Sequence, residues 1–344
     1  MSLTNLTSLD IAAITASWIQ DNKDSFLFSQ LPNCTALGAA EGISSVTYRV
    51  GDLTNGLIDV GLQDWEQGQS APEQVILSGT SVTFTCTGAS TKEIARPLRR
   101  SAPHNLRDLE DNIVPILYSH IYQGIDKKLV SFLQSSAYGS QKTFTTSSSS
   151  LDVPSDYANQ NPLNDMRINL QPLMKYRGGF LKLVCIMDSL VAGVFCGHPS
   201  FTGAGVGSNS PMMLPFEAVA NIIKTRLGVD DVIISGTAIN TARTGATPTI
   251  RQTANGLLWF GLVDTRTNMV VSQHQNEGPD GGLQIAFSRQ PEVINYQRAD
   301  REEDCFCGKV ALSIFNPRDD SANGYFGHFY KTNGSGGIFA NLPA

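Results

Sequence analysis

The longest periodic stretch of apolar residues along the chain is helical. Over residues 105–138, Leu106, Leu109, Ile113, Leu117, Ile121, Ile125, Leu129 and Leu133 recur every three or four positions, the period of an α-helix with one buried stripe. Asp111 or Asn112 can cap the main run, which places Pro115 in the first turn, where its missing N–H costs nothing. A start nearer Arg107 would turn the same proline into a kink. Steps of four outnumber steps of three, so the stripe drifts around the axis and more than one side of the helix should be covered. At 1.5 Å per residue, about 25 residues span roughly 37 Å, the width of a small domain.

Before this helix, residues 1–45 hold one short helical pattern at 11–19, and the remainder reads as an extended arm. From Val46 the period changes to that of a strand. VTYRV and QVILSGTSVTFTCT alternate, while the stretch between them is rich in Gly, Gln and Asp and poor in aliphatic anchors. The pattern predicts a protruding hairpin, and an isolated hairpin needs another surface to lie on. After the helix, KTFTTSSSSLDVPSDYANQNPLND reads as a linker or mobile loop.

A second unit follows, in which strand and helix signals alternate as in a mixed α/β unit. Residues 180–187 and 257–263 read as buried strands, 189–196 as a short helix ending at Gly197-His198-Pro199, and 232–234 as a short buried strand. Residues 201–213 read as a glycine-rich loop, and 237–250 read as loop. Residues 215–227 carry an amphipathic helix with Phe216, Val219, Ile222 and Ile223 on one face, stopped by Gly228. From Gln284 to Phe315 alternation returns in two long runs, which are expected to pack against the long helix.

Composition narrows the class. The chain has 344 residues, 41% hydrophobic and 16% charged, so one large or two modest domains with a sizeable core are expected. A surface poor in charge suits a protein that covers much of its exterior with partners. The net charge of −6 argues against gripping nucleic acid through a basic face, though not against enclosing it. The opening MSLTNLTSLD lacks a signal-peptide pattern, and the most apolar run, 180–197, is broken by Lys182 and Asp188, so no membrane span is expected. Six cysteines, Cys34, Cys86, Cys185, Cys196, Cys305 and Cys307, are scattered and read as reduced thiols. Chain ends fray unless tied down, and both ends are expected to be held, the glycine-rich tail included, against neighbouring copies.

The candidate chemistry is sparse. Cys305 and Cys307 share one face of a strand but lack the further ligands that zinc needs. Gly203, Gly205 and Gly207 resemble part of a dinucleotide fingerprint, yet Ser208-Asn-Ser-Pro211 follows where a helix would have to begin. His104, His120, His198, His274 and His328 stand far apart, and no nucleophile has a recognisable setting. Asp230-Asp231 reads as a solvated turn. Arg96, Arg99, Arg100 and Arg107 form the one local basic cluster, which could pair with Glu110 and Asp111 or with another copy. No active site, metal or cofactor is expected.

Several of these pieces, in this order, resemble the major capsid proteins of tailed bacteriophages. They are the strand and short helix ending in His198-Pro199, a helix leading to the strand over 227–234, the Asn240-Thr241-Ala242 loop, and the apolar strand over 255–263. The resemblance implies the α+β fold named after phage HK97. It implies an N-terminal arm (1–45), an extended hairpin loop (46–100) and a peripheral domain (101–177 and 286–344) with its spine helix at 105–138. An axial domain (178–285) completes the set.

By the same resemblance, copies form hexamers and pentamers of an icosahedral shell around double-stranded DNA, assembled in the bacterial cytoplasm. Portal and decoration proteins are further partners. About 45 residues precede the hairpin, so a fused scaffolding segment is not expected and a separate scaffolding protein is implied. Candidate assembly contacts are Asp64, Trp65 and Glu66 at the hairpin tip, Arg96, Arg99 and Arg100 at its base, and Gly203, Gly205 and Gly207 in the axial loop. An encapsulin-type compartment shell is the alternative within the fold, and an unrecognised α+β enzyme the alternative outside it.

Overall fold

The long helix and two sheets share one core in the computed structural model of the chain. It describes residues 17, 26–31, 37–38, 45–51, 79–97, 113–135, 139–146, 149–175, 177, 181–203, 213–240, 247, 249–264, 277–278, 284–301, 303–315 and 327–342. In chain order the strands are β1 (Leu37–Gly38), β2 (Ser45–Gly51), β3 (Gly79–Thr85), β4 (Thr87–Ser90), β5 (Ile94–Pro97), β6 (Ser140–Lys142) and β7 (Leu181–Asp188). Then come β8 (Asp231–Ser235), β9 (Ala238–Asn240), β10 (Ile250–Gln252), β11 (Leu258–Asp264), β12 (Glu277–Gly278), β13 (Gln284–Arg298), β14 (Glu303–Phe315) and β15 (Gly327–Tyr330). The helices are α1 (Leu27–Gln30), α2 (Ile113–Leu133), α3 (Pro162–Met174), α4 (Ser189–Gly197), α5 (Pro199–Thr202) and α6 (Phe216–Leu227), with a 3-10 turn at Pro154–Asn159.

Helix α2 is the expected long helix, called the spine below for its place in the core. It buries two neighbouring residues at almost every turn: Ile113 and Val114, Leu117 and Tyr118, Ile121 and Tyr122, Ile125 and Asp126, Leu129 and Val130. Each row advances in steps of four, about 40° further around the axis per step, so the buried band is too wide for one neighbour. Pro115 lies in the first turn described, and the expected start over 105–112 falls outside the described residues.

One neighbour of α2 is the first sheet, in the order β1-β13-β14-β4, with β5 also paired to β14. Strands β13 and β14 are the two long alternating runs, antiparallel from Gln284↔Phe315 to Arg298↔Glu303. Phe306, Val310 and Leu312 of β14 share a core with α2. Gly308 lies among them because a Cβ there would stand 2.7 Å from Ile121 Cδ1.

The second sheet runs β6-β15-β11-β7-β8. Its central strands are covered on both faces, which is why they read as unbroken apolar runs. Val184 and Ile186 of β7 and Trp259 and Val263 of β11 join the spine core. Leu183, Cys185 and Met187, with Leu258, Phe260 and Leu262, face a second core built with α3, α4 and α6. Helix α6 ends as its sequence demands, with Gly228 in the left-handed region at φ 67°.

Some expectations need correction. Most of the polar stretch after the spine is ordered rather than a mobile linker. Asn161 caps α3 by accepting from the Asn164 N–H at 3.2 Å, Pro162 occupies the first turn, and Met166, Leu170 and Leu173 are fully buried. Residues 237–250 are not all loop either, because β9 and β10 pair antiparallel, and Phe201 and Thr202, read as the start of the glycine-rich loop, belong to α5, where Phe201 is buried. The part of the arm that is described contains a helical turn, α1, rather than only extended chain. The tail is held by its own chain: Gly336 N–H donates to Ser149 O, Leu151 N–H to Gly337 O and Asp152 N–H to Ile338 O. The helical pattern at 11–19 lies outside the described residues apart from Ser17, which is helical.

The spine's seat gives a direct test. Replacing Gly308→Ala pushes a methyl into Ile121 and should cost about 1–3 kcal/mol, read as a lower denaturation midpoint with unchanged slope. Gly88→Ala on β4, where a Cβ meets nothing within 4 Å, should stay close to wild type.

Candidate functional site

The described residues bring titratable groups together at buried structural joints and leave an open groove beside the spine. The first joint holds the arm. Asp126, fully buried on the second apolar row of α2, accepts from Leu27 N–H through Oδ2 and from Phe28 N–H through Oδ1, both at 2.9 Å. These are N-terminal donors of a four-residue helix, which has no internal partners for them. Around the carboxylate, Phe26, Leu27, Phe28 and Leu31 are buried in the spine core, and Tyr122 packs between Phe26 and Phe28 at centroid distances of 5.3 and 4.8 Å. Burial raises the Asp126 carboxyl to about 6, and the two backbone donors only partly offset it.

The second joint ties residues 149–160 to the turn after α4. His198 Nδ1 accepts from Ser200 N–H at 3.2 Å, and Nε2 lies 3.3 Å from Gln160 Oε1, so a ring protonated on Nε2 satisfies both. Gln160 Nε2 donates to Ser150 O at 3.0 Å and to Asp156 Oδ2 at 3.3 Å, and Ser149 Oγ donates to the same carboxylate at 2.6 Å. Burial pushes His198 down to about 4, keeping it neutral. His328 falls to about 4 for the same reason, with Lys142 adding to the effect.

Asp188 makes the third joint. It is fully buried at the β7–α4 junction and accepts from Gly256 N–H at 2.7 Å, and burial raises its carboxyl. Asn255 and Gly256 both have positive φ (46° and 71°), so the Asn-Gly pair supplies the turn into β11. Asp230 is likewise no solvated turn, since it accepts from Leu183 N–H at 2.8 Å and pairs with Arg177. The carboxylate beside it, Asp231, pairs with Lys224 at 2.7 Å.

Of the candidate contacts, Gly203 caps α5 in the left-handed region (φ 68°), donating to Pro199 O at 2.9 Å. Arg96 sits on β5 opposite Asp304 in the ladder to β14. Asp64, Trp65, Glu66, Arg99, Arg100, Gly205 and Gly207 lie outside the described residues, as do Arg107, Glu110 and Asp111. On either side of residues 52–78, which lie outside the described residues, β2 and β3 pair over Ser45↔Thr85 to Gly51↔Gly79, with β12 parallel to β2. Cys305 and Cys307 are buried, and Cys307 Sγ lies 3.6 Å from Thr91 O. Among the described residues no group of three or more His, Cys, Asp or Glu side chains could hold a metal, and no helix is long and apolar enough to cross a membrane.

Periodicity alone did not point to the groove. It holds about 220 Å³ between α2 and the first sheet, floored by Ile121, Ile125, Val310 and Leu312. Lys92, His120 and Lys128 stand exposed along its edge. Asp126 did leave a signal, an acidic residue on the otherwise apolar row 118, 122, 126, 130.

No protein-family model matches the chain, and no curated protein matches it in sequence. Solved structures do match in fold. A phage-related protein of Bordetella bronchiseptica RB50 is 11% identical, and its superposition covers 96% of this chain and 98% of that one at a TM-score of 0.56. The mature capsid of bacteriophage PhiM1 matches at 8% identity, 90% and 86% coverage and a TM-score of 0.48. A virus-like particle from Pyrococcus furiosus matches at 10% identity, 92% and 96% coverage and a TM-score of 0.47. The chain is thus an α+β protein with the fold of the phage-related protein, and phage capsids are among the structures it resembles.

The joints titrate in opposite senses. Asp126, raised in the folded state, favours the fold below its unfolded value near 4 and loses that contribution as pH rises through about 6. The stability of wild type relative to Asp126→Asn should therefore grow by about 2 kcal/mol from pH 7 to pH 4. Asp126→Ala should speed amide exchange at Leu27 and Phe28 by about tenfold or more. His198, lowered to about 4, stabilises the fold above its unfolded value near 6.5, and that contribution is lost as pH falls. His198→Asn keeps an acceptor for Ser200 N–H and should shed part of the acid sensitivity seen in thermal melts between pH 7 and pH 4.5.

Proposed function

We propose that the chain is the major capsid protein of a tailed bacteriophage, with the HK97-like fold, and that its role is structural rather than catalytic. The observation that carries this reading is the fold match to a phage-related protein over nearly the full length of both chains. The sequence resemblance over residues 181–263 points the same way, and so does the chemistry of the joints. Asp126, Asp188 and His198 are committed to holding backbone and side chains in place.

On this reading the arm, the β2–β3 hairpin, the spine with β13 and β14, and the mixed unit around β7 and β11 are the capsid arm, extended loop, peripheral domain and axial domain. Copies assemble as hexamers and pentamers of an icosahedral shell. The acidic, patch-poor chain encloses double-stranded DNA without binding it tightly. A separate scaffolding protein directs closure in the host cytoplasm, a portal occupies one vertex, and decoration proteins coat the outside. The hairpin strands pair with each other and with two residues of β12, so the polar tip gains its cover from the adjacent subunit.

Expression of the chain and electron microscopy of the sedimented material test the reading. Closed shells in the megadalton range are expected, and a monomer or small oligomer at all concentrations would refute it. Replacing residues 52–73 by a tight turn should leave a folded subunit with wild-type thermal stability that no longer closes shells.

A further inference from the structure

We propose that the cavity between the C-terminal end of the spine helix and the β9–β10 hairpin binds a small phosphate monoester, with the phosphate held by Lys127, Arg251 and Thr253. The proposal goes beyond the shell reading above, and every residue it uses belongs to one subunit.

Two elements each turn one face to this cavity, which holds about 270 Å³. Lys127, Ser131 and Gln134 follow one another at i, i+4 and i+7 on α2 and just past its end, so they share one side of the helix. Opposite them, Arg251 lies on β10 and Thr253 directly after it. The ladder continues one step past β10, since Thr253 N–H donates to Thr237 O at 2.7 Å. Arg251 and Thr253, two residues apart in extended chain, therefore share one side of the hairpin.

The charge of the cavity is one-sided. Its lining residues include two cations and no carboxylate. Among the described residues neither Lys127 nor Arg251 has an ion-pair partner. Asp126, next to Lys127 in the chain, is committed to the N–H groups of the arm. Lys127 also precedes the last turn of α2, which ends at Leu133. The negative end of the helix dipole is felt within that last turn and does not oppose an anion at Lys127.

Thr253 supplies an independent sign of a missing ligand. It is 4% exposed, and its Oγ1 has no hydrogen-bond partner. A buried hydroxyl left unpaired costs the fold, and such groups are few in native proteins. A phosphate oxygen supplies the missing acceptor. Bonds from guanidinium and ammonium groups to phosphate are charge-assisted and strong.

The organic part of the ligand has its own space. Gln134 and Asn255 border this cavity and also a second one of about 310 Å³, so the two adjoin. Gln141, Thr332 and Asn333 line the second, which has no charged lining residue. Amides and hydroxyls both donate and accept, as sugar hydroxyls do, and small-molecule sites span about 300–1,000 Å³. A cationic end joined to a neutral polar end matches a phosphate carried on a polyhydroxy body.

Calorimetric titration of the full chain tests this, with glucose monophosphate, inorganic phosphate and glucose as probes. Glucose monophosphate should bind most tightly, inorganic phosphate more weakly, and glucose not at all. Lys127→Gln and Arg251→Gln should each weaken both phosphates about tenfold or more. Lys128→Gln, which borders the apolar groove instead, should leave affinity unchanged. Asn333→Ala should weaken glucose monophosphate alone. Thr253→Val removes an unpaired hydroxyl, so it should raise the melting temperature of the free chain while lowering its affinity. No binding of either phosphate at millimolar concentration would overturn the proposal, as would wild-type affinity in the two cation variants. Glucose monophosphate binding no more tightly than inorganic phosphate would overturn the ester. Displacement of the ester by a short DNA duplex would assign the cations to a nucleic-acid backbone and overturn it as well.

Discussion

The spine helix carries a buried band wider than any single neighbour can cover, and the architecture answers that demand. Two apolar rows, each drifting about 40° per step, require cover from more than one side. β13 and β14 supply one, and the inner face of the second sheet joins the same core through Val184, Ile186, Trp259 and Val263. The remaining gap is closed by the arm, whose Phe26, Leu27, Phe28 and Leu31 are all buried there. Because β7 and β11 send alternate residues into two cores, those cores meet across a shared sheet rather than across a linker. A cavity at Leu117 or Ile125 would therefore be felt in both.

This sharing also explains what the sequence shows and what it hides. Elements whose burial repeats over many residues are legible: the spine, α6 with its glycine stop, β7, β11, and the β13–β14 pair. Elements that exist because of a distant partner are not. Helix α1 has four residues and no side-chain cap of its own. It forms because Asp126, about a hundred residues away in sequence, takes its first amide donors. Strand β6 has three residues whose partner, β15, lies near the other end of the chain. Helix α3 is a different case. Asn161-Pro162 followed by Leu163, Met166, Leu170 and Leu173 is a legible start and stripe, obscured by the polar residues on either side.

The candidate site follows the same division. Arg96 and Gly203 fall on backbone positions with clear local reasons, a ladder and a helix stop, and these are properties of short sequence. The groove has no local signature, since its walls come from α2, β4 and β14 and its rim from a connecting segment. Buried polar groups serve here as registration marks. A carboxylate or imidazole taken out of water is tolerated only where its donors or acceptors are met, so Asp126, Asp188 and His198 penalise any arrangement that shifts arm, turn or loop by one residue. Apolar contact alone is more forgiving of such slips.

The same logic distinguishes features made for the subunit from features made for its neighbours. Gly308, Gly256 and Gly228 are each explained by atoms of their own chain, through a close contact or a left-handed turn. Gly124 has no such account among the described residues. A mid-helix glycine costs about 1 kcal/mol relative to alanine, so the open floor beside Gly124 is a cost to the folded chain that its own described contacts do not offset.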